Sequence, residues 1–308
     1  GKGAVLPPQD LSVLIPLAGG RCPGALLLFD INNYHGTLGR LNNVLERAKI
    51  ACFLAEESNR SLLLTGEYDG VDVSELIDFD ALRGGVRCAW AGRETNMEMA
   101  ALADRLAPQL VADSESMRRA PPDTHVRVTH TTLVDWYRPL GQDFDARFFG
   151  SLRLAGQGTR AQVEDYVGEV LGGSDAYAAV HLRHMEGECE ERARKYSQHF
   201  EEDDGYFIRM CWLEYDYVRT LVPTGKLFVL SDRQDAKVEA TYEGRSDVYR
   251  YDEHVACGDE VHCSLIDMEV AVLSKEFVGN PMSTFSKNIA MMRWYRRGKP
   301  SILFDVTE

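Results

Sequence analysis

The sequence lacks most of the short signatures that announce a chemistry. It has no Cys-x-x-Cys, so a zinc ribbon or thioredoxin-like redox site has no support. It has no His-Glu-x-x-His and no Gly-x-Ser-x-Gly, which removes the zincin and nucleophile-elbow readings. Its histidines, at 35, 125, 130, 181, 184, 199, 254 and 262, do not pair as metal ligands. No stretch approaches the ~20 apolar residues that span a bilayer, and no signal peptide opens the chain. Gly1-Lys2-Gly3 carries no initiator Met, so an anchor or targeting segment outside these 308 residues stays open. There is no internal repeat and no low-complexity tract. Basic residues are in deficit: 34 Lys and Arg stand against 48 Asp and Glu, for a net charge of −14. That balance speaks against nucleic acid, whose binding rests on a basic surface, and nothing indicates membrane contact by this chain. It leaves room for a small phosphorylated ligand, because a few arginines in one cleft make a local positive field. Runs such as Glu201-Glu202-Asp203-Asp204 read as solvated loop.

The seven cysteines leave at least one unpaired within the chain. Cys257 and Cys263 close either a small disulfide loop or remain buried thiols. Asn59-Arg60-Ser61 is a formal glycosylation sequon, relevant only in a secreted protein.

Strand and helix signals alternate. Leu26-Leu27-Leu28-Phe29 predicts a strand running into a turn-rich loop. Leu41, Leu45, Ala48, Cys52 and Ala55 then recur at helical spacing, with Asn42 or Asn43 suited to the cap. Ser61-Leu62-Leu63-Leu64 follows as a second strand, completing a βαβ unit. Residues 96–110 predict a helix and Val126–Val128 a strand. Gly156-Gln157-Gly158-Thr159 is the best boundary, dividing the chain into 1–158 and 159–308. Thr159 caps a helix through about 171, which Gly172-Gly173 stops. Beyond it the pattern predicts strands at 177–182, 226–230, 246–249, 277–279 and 301–304. Helices fall at 190–200, 207–220 and 265–274. A final helix carries Phe285, Ile289 and Met292 on one face, with Arg293, Arg296 and Arg297 complementing its dipole. The economical reading is two α/β halves.

The candidate chemistry gathers at element ends. Ala178-Ala179-Val180-His181-Leu182-Arg183 is an apolar run ending in an imidazole and a guanidinium. The carboxyl end of a parallel strand is where open α/β sheets hold ligands, and an arginine there grips two phosphate oxygens at once. Read alone, it is most simply a strand end with a solvated arginine. Ser283-Thr284 stands where a strand turns into a helix, which makes either an anion site or an ordinary cap. Asp267 offers a carboxylate able to accept two hydrogen bonds from a guanine edge, or is a plain surface aspartate. Gly39-Arg40-Leu41-Asn42-Asn43 joins a loop to a helix start. It is not Gly-x-Gly-x-x-Gly, and no Gly-Lys-Ser/Thr follows it. Arg40 would bring a second cation and Asn43 a polar contact, unless this is simply a loop-to-helix junction.

Taken in order, these pieces resemble the protein O-fucosyltransferase family and related GDP-fucose fucosyltransferases. They are Gly39-Arg40-Leu41-Asn42-Asn43, Val180-His181-Leu182-Arg183, Phe228-Val229-Leu230-Ser231-Asp232, and Asp267 through Phe277-Val278-Gly279-Asn280 to Ser283-Thr284-Phe285-Ser286. The resemblance covers roughly 25–65 and 175–298. It implies an α/β, GT-B-like fold, with two Rossmann-like domains facing across a cleft, the first on the acceptor side and the second binding the nucleotide sugar. It implies an inverting, metal-independent transfer of fucose from GDP-fucose, without a cofactor, to a protein or glycan hydroxyl, in the Golgi or endoplasmic reticulum lumen. On this resemblance Arg183 holds the β-phosphate with His181 beside it. Ser283, Thr284 and Phe285 line the phosphate and nucleotide pocket, and Asp267 reads guanine. Arg40 and Asn43 meet the diphosphate and sugar. The pattern departs at Val44, where relatives often carry glutamine, and at the shifted acids Glu186 and Glu188. These departures bear on the acceptor and the base, for which Glu186, Glu188 and Asp30 are the chemical candidates. Two other readings fit the same residues: a same-fold transferase using another donor, such as UDP-rhamnose, on a polysaccharide, or a non-catalytic nucleotide- or sugar-binding relative.

Overall fold

The computed structural model describes residues 22, 25–31, 41–86, 88–91, 106, 108–128, 133, 140–154, 157–200, 204–223, 225–255 and 260–302. The chain divides into two compact units, 1–156 and 157–308.

The first unit contains β1 (Leu26–Asp30), α1 (Leu41–Glu57), β2 (Ser61–Thr65), β3 (Ala89–Ala91), β4 (Gln109–Val111), β5 (Val126–Val128) and α2 (Gln142–Ser151). Its main sheet runs β3-β2-β1-β5-β4, with every pairing parallel. Leu26–Phe29 and Leu62–Leu64 are buried. Parallel strands are covered on both faces, so they read as continuous apolar runs rather than alternating ones. The expected apolar face of α1 is buried throughout. The helix begins at Leu41, so Asn42 and Asn43 lie in its first turn and not at its cap. Asn59 follows the helix in the left-handed region and is exposed. Arg60 next to it is buried. Its guanidinium donates to the carbonyls of Ser58, Ala120, Pro121 and Thr124, tying the α1–β2 turn to the chain that enters β5. Of the helix expected over 96–110, Gln109 and Leu110 instead form the edge strand β4, where pairing with β5 overrides local propensity. Residues 96–105 lie outside the described residues.

The second unit opens with α3 (Gln157–Asp165), which widens into a π-helical segment over Tyr166–Leu171 and ends at Gly172, φ 90°. It continues through β6 (Tyr177–Leu182), α4 (Cys189–Phe200), β7 (Lys226–Ser231), β8 (Val248–Tyr249), α5 (Glu260–Leu273), β9 (Glu276–Val278) and α6 (Thr284–Arg297). The helix expected over 207–220 is broken into Asp204–Arg209 and Tyr215–Leu221. Cys211 lies in the break and is disulfide-bonded to Cys189 at the start of α4. Cys22 and Cys88 form a second disulfide, and Cys263 is also disulfide-bonded; Cys257 lies outside the described residues. Cys52 is free, and burial pushes its thiol up. The expected terminal strand survives only as a bridge between Ile302 and Val278; residues 303 and 304 lie outside the described residues.

The three arginines of α6 serve the neighbouring helix rather than their own. Arg293 is fully buried. It donates to the carbonyls of Ala271, Val272 and Ser274 at 3.1, 3.3 and 2.7 Å, and to those of Lys275 and Pro300 at 3.1 and 3.4 Å. Arg297 donates to the Val272 carbonyl, Tyr177 Oη to that of Val270, and the Asp175 N–H to that of Leu273. The last four carbonyls of α5, which have no partner within their own helix, are thus all satisfied. Arg296 pairs with Glu269 on α5 at 2.9 Å. Arg293→Ala is expected to strand several buried carbonyls and leave a cavity, costing on the order of 4 kcal/mol in urea denaturation. Arg192→Ala, which removes an exposed pair with Glu188, is expected to stay within about 0.5 kcal/mol.

Candidate functional site

The second sheet runs β8-β7-β6-β9, and all pairings are parallel. The chain therefore builds outward from β6 to β7 and β8, then returns to the other side of β6. That reversal makes the carboxyl ends of β6 and β9 a topological switch point, the crevice where open α/β sheets bind ligands. His181-Leu182-Arg183 ends β6, and Asn280 to Ser283 leaves β9 for α6.

Side-chain bonds join these two ends. His181 Nδ1 lies 2.7 Å from Ser286 Oγ, which accepts the Asn280 N–H at 3.1 Å. The His181 ring packs on Phe285, with centroids 4.6 Å apart. Asn280 Nδ2 approaches the Arg183 carbonyl at 3.5 Å, and its Oδ1 accepts the Met282 N–H at 2.9 Å. Gly279 permits the approach of α6. A Cβ there would stand 2.7 Å from the Phe277 ring and 3.0 Å from Ser286 Cβ. Ser283 is the N-cap residue of α6, in extended conformation, but its side chain bonds none of the helix's first amides. The ordinary capping role is therefore not the one Ser283 performs, and the positive end of α6 faces the switch point without a side-chain cap.

Arg183 forms an ion pair with Asp232, at the end of β7. Next to it, His184 Nδ1 stands 3.1 Å from Asp235 Oδ2. Met185 and Arg233, just past β6 and β7, both hold left-handed backbone, φ 57° and 53°. Such conformations persist where surrounding contacts over-determine them, commonly at ligand sites. A small crevice bounded by Arg183, His184, Ser231 and Asp232 lies between these strand ends.

Asp267 lies on α5, partly exposed. Desolvation pushes its carboxyl up to about 8, Asp252 adds to the shift, and Arg250 and Arg233 oppose it. Those two arginines pair elsewhere, Arg250 with Glu239 and Arg233 with Asp252.

The remaining sequence candidates distribute as follows. His181, Arg183, Ser283, Thr284 and Phe285 converge at the switch point. Asn43 belongs to the first unit, in the first turn of α1, beyond the carboxyl end of β1. That end is the switch point of its own sheet, since β1 has β2 on one side and β5 on the other. Asp30 ends β1. Gly39 and Arg40 lie outside the described residues. Glu186 belongs to the turn Met185–Gly187, and its side chain is outside the described set. Glu188 pairs with Arg192 on the exposed surface. Asp232, Gly279, Asn280 and Ser286 belong to the sequence stretches that carry the resemblance, but no role was assigned to them from sequence; the structure supplies it through the bonds to Arg183, His181 and Met282. Among the described residues no group of three metal-ligating side chains converges, and no helix is long and apolar enough to cross a membrane.

Two Rossmann-like α/β units in one chain are the GT-B-like plan, and comparison with solved structures supports the same class. POFUT1 in complex with GDP-fucose superposes with a TM-score of 0.59 at 12% identity, over 92% of this chain and 98% of that one. The POFUT1 apo-form gives 0.61 at 12% identity, over 91% and 97%. The fucosyltransferase NodZ from Bradyrhizobium gives 0.50 at 14% identity, over 92% and 96%. The likeness is one of fold. No family model and no curated protein matches the sequence.

Because the native Asp267 carboxyl keeps its proton to about pH 8 and an unfolded aspartate loses it near 3.8, the folded state binds more protons between these values. Its stability contribution therefore falls as pH rises through that window. Asp267→Asn is expected to gain stability over the wild type between pH 5 and 8, by about 1–3 kcal/mol in total, read as urea midpoints across pH.

Proposed function

We propose that the chain is an inverting, metal-independent glycosyltransferase that moves fucose from GDP-fucose to a hydroxyl of a protein or glycan. The observation that carries this reading is Arg183 at the carboxyl end of β6, at the switch point, with the start of α6 bonded to the same strand end through His181 and Ser286. The fold shared with POFUT1, solved in complex with GDP-fucose, supports the choice of donor.

In the reaction the bond between the sugar carbon and the β-phosphate oxygen breaks. The acceptor oxygen bonds to that carbon from the opposite face, and the acceptor proton passes to a base or to water. GDP departs with added negative charge. Arg183 and the first amides of α6 stabilise that charge as it develops, in a fixed site that needs little reorganisation. Ser283 and Thr284 supply further donors, His181 orients donor atoms, and Phe285 walls the nucleotide. Asp267, ionising as the base binds, accepts from the guanine edge. Arg40 and Asn43 contribute to holding the diphosphate and sugar, and Glu186 is the proposed base.

The Cys189–Cys211 and Cys22–Cys88 disulfides support an oxidising compartment, in keeping with a Golgi or endoplasmic reticulum lumen. A second reading, in which the donor carries another base, turns on Asp267. Calorimetry of the wild type with GDP and UDP separates the two, and tighter binding of UDP would overturn the guanine assignment. Release of GDP from GDP-fucose tests the third reading, a binding protein without catalysis.

Arg183→Ala is expected to lower kcat/KM by 10²–10³-fold, about 3–4 kcal/mol of transition-state stabilisation, with the urea midpoint close to that of the wild type. EDTA is expected to leave activity unchanged. Near-normal turnover by a folded Arg183→Ala protein would sink the assignment.

A further inference from the structure

One buried polar group plays no part in the account above. Tyr166 is 3% exposed, and its hydroxyl has no hydrogen-bond partner. Leaving a buried hydroxyl unpaired costs about 1–3 kcal/mol, and native structures keep few such groups without a reason. The residue opens the π-helical segment Tyr166–Leu171, a rare geometry that concentrates at functional sites. Its ring is held edge-on by Tyr251 and Phe228, at centroid distances of 5.0 and 5.9 Å, and tilted against His254 at 6.0 Å. Tyr249 stacks on His254 at 5.8 Å. The phenol is thus packed within an aromatic cluster.

Asp267 acts electrostatically on two members of this cluster, Tyr166 and Tyr251. Burial above all, and then the charges of Asp267, Glu253 and Asp252, holds the proton of the Tyr166 hydroxyl on. Tyr166 is therefore a hydrogen-bond donor at neutral pH. Asp267 has no hydrogen bond to the protein among the described residues. A committed donor and a carboxyl group, neither with a hydrogen-bond partner among the described residues, lie within electrostatic reach of each other.

This pairing matches one base edge. Guanine presents N1–H and N2–H₂ as adjacent donors beside the O6 acceptor, so a carboxylate satisfies the donors and leaves O6 in need of a donor of its own. Adenine offers an amino group at the same position and uracil a narrower edge. Resting on the donor reading given above, we propose that Tyr166 donates its hydroxyl hydrogen to guanine O6 while Asp267, giving up its proton to solvent as the base binds, accepts from N1–H and N2–H₂, so that Tyr166 is a second determinant of base specificity. The energy of the unpaired hydroxyl in the empty protein is recovered when the base arrives.

The test is titration calorimetry of the full chain with GDP, IDP and ADP, for wild type and Tyr166→Phe, alongside thermal unfolding without nucleotide. GDP and IDP both carry O6, so both are expected to weaken about five- to thirty-fold in Tyr166→Phe, with the GDP:IDP ratio unchanged and ADP unaffected. The nucleotide-free variant is expected to melt at the wild-type temperature or above it, because an unsatisfied hydroxyl has been removed. A structural hydroxyl would do the reverse, lowering the melting temperature and leaving GDP affinity intact, and that result would overturn the proposal. Should Tyr166→Phe fail to fold, 6-thio-GDP on the wild type replaces it. Its weaker acceptor at position 6 is expected to bind less tightly than GDP, and equal binding would overturn the proposal. A wild type that binds no nucleoside diphosphate overturns the donor reading itself. A wild type that binds GDP with Tyr166→Phe indistinguishable from it overturns only the role of Tyr166.

Discussion

The second unit depends on the buried guanidinium of Arg293. Helix α5 ends inside the protein, where its last carbonyls cannot reach water. A charge delocalised over a planar fork can meet several carbonyls at once, and this one also reaches Ser274, Lys275 and Pro300. Burial lowers its pKa to about 10, so it stays charged at neutral pH and complements the negative end of the α5 dipole. The consequence lies at the other end of α6. With Arg293 bonded to the end of α5 and to the Ser274-Lys275 turn that leads into β9, α6 is tied at this end, and at its other end Ser286 meets the carboxyl end of β6.

From that constraint the site follows. The strand order puts the switch point at β6 and β9, and Gly279 lets α6 approach closely enough for Ser286 to bond both His181 and the Asn280 amide. Arg183 and Asp232 then sit at adjacent strand ends, flanked by the left-handed residues Met185 and Arg233. An uncapped helix start beside a paired arginine is an arrangement suited to a diphosphate, since it offers positive charge and amide donors without the long flexible lysines that would have to be ordered on binding.

Asp267 and Tyr166 show the same economy at the base end. Each is costly in isolation: a carboxylate held partly out of water keeps its proton, and a buried phenol goes unpaired. The two groups lie within electrostatic reach of each other, and a single planar ligand with the right edge would relieve both. Sites that bind tightly commonly hold such destabilising features and recover their energy on binding.

Much of the framework was legible in the residues themselves. The apolar runs at Leu26, Ser61, Tyr177 and Lys226 became parallel strands because runs without alternation suit sheets buried on both faces. Gly172 marked a helix end because glycine readily takes the left-handed backbone it adopts there. Legibility failed where long-range contacts decide. Gln109 and Leu110 joined an edge strand through pairing with β5, and the segment after Phe207 broke where Cys211 reaches Cys189. The arginines of α6 turned away from their own helix to cap another. His181-Leu182-Arg183 could be recognised as a strand end, but its partners stand about 50 to 105 residues away, at Asp232 and Ser286. Local sequence thus determined the elements, their order and the residue types available for phosphate chemistry, since propensity and periodicity act over a few residues. Only the tertiary structure decided which strand ends adjoin, that Ser283 leaves the start of α6 uncapped, and that the Tyr166 hydroxyl is buried without a partner, because these follow from strand order and packing across the whole unit.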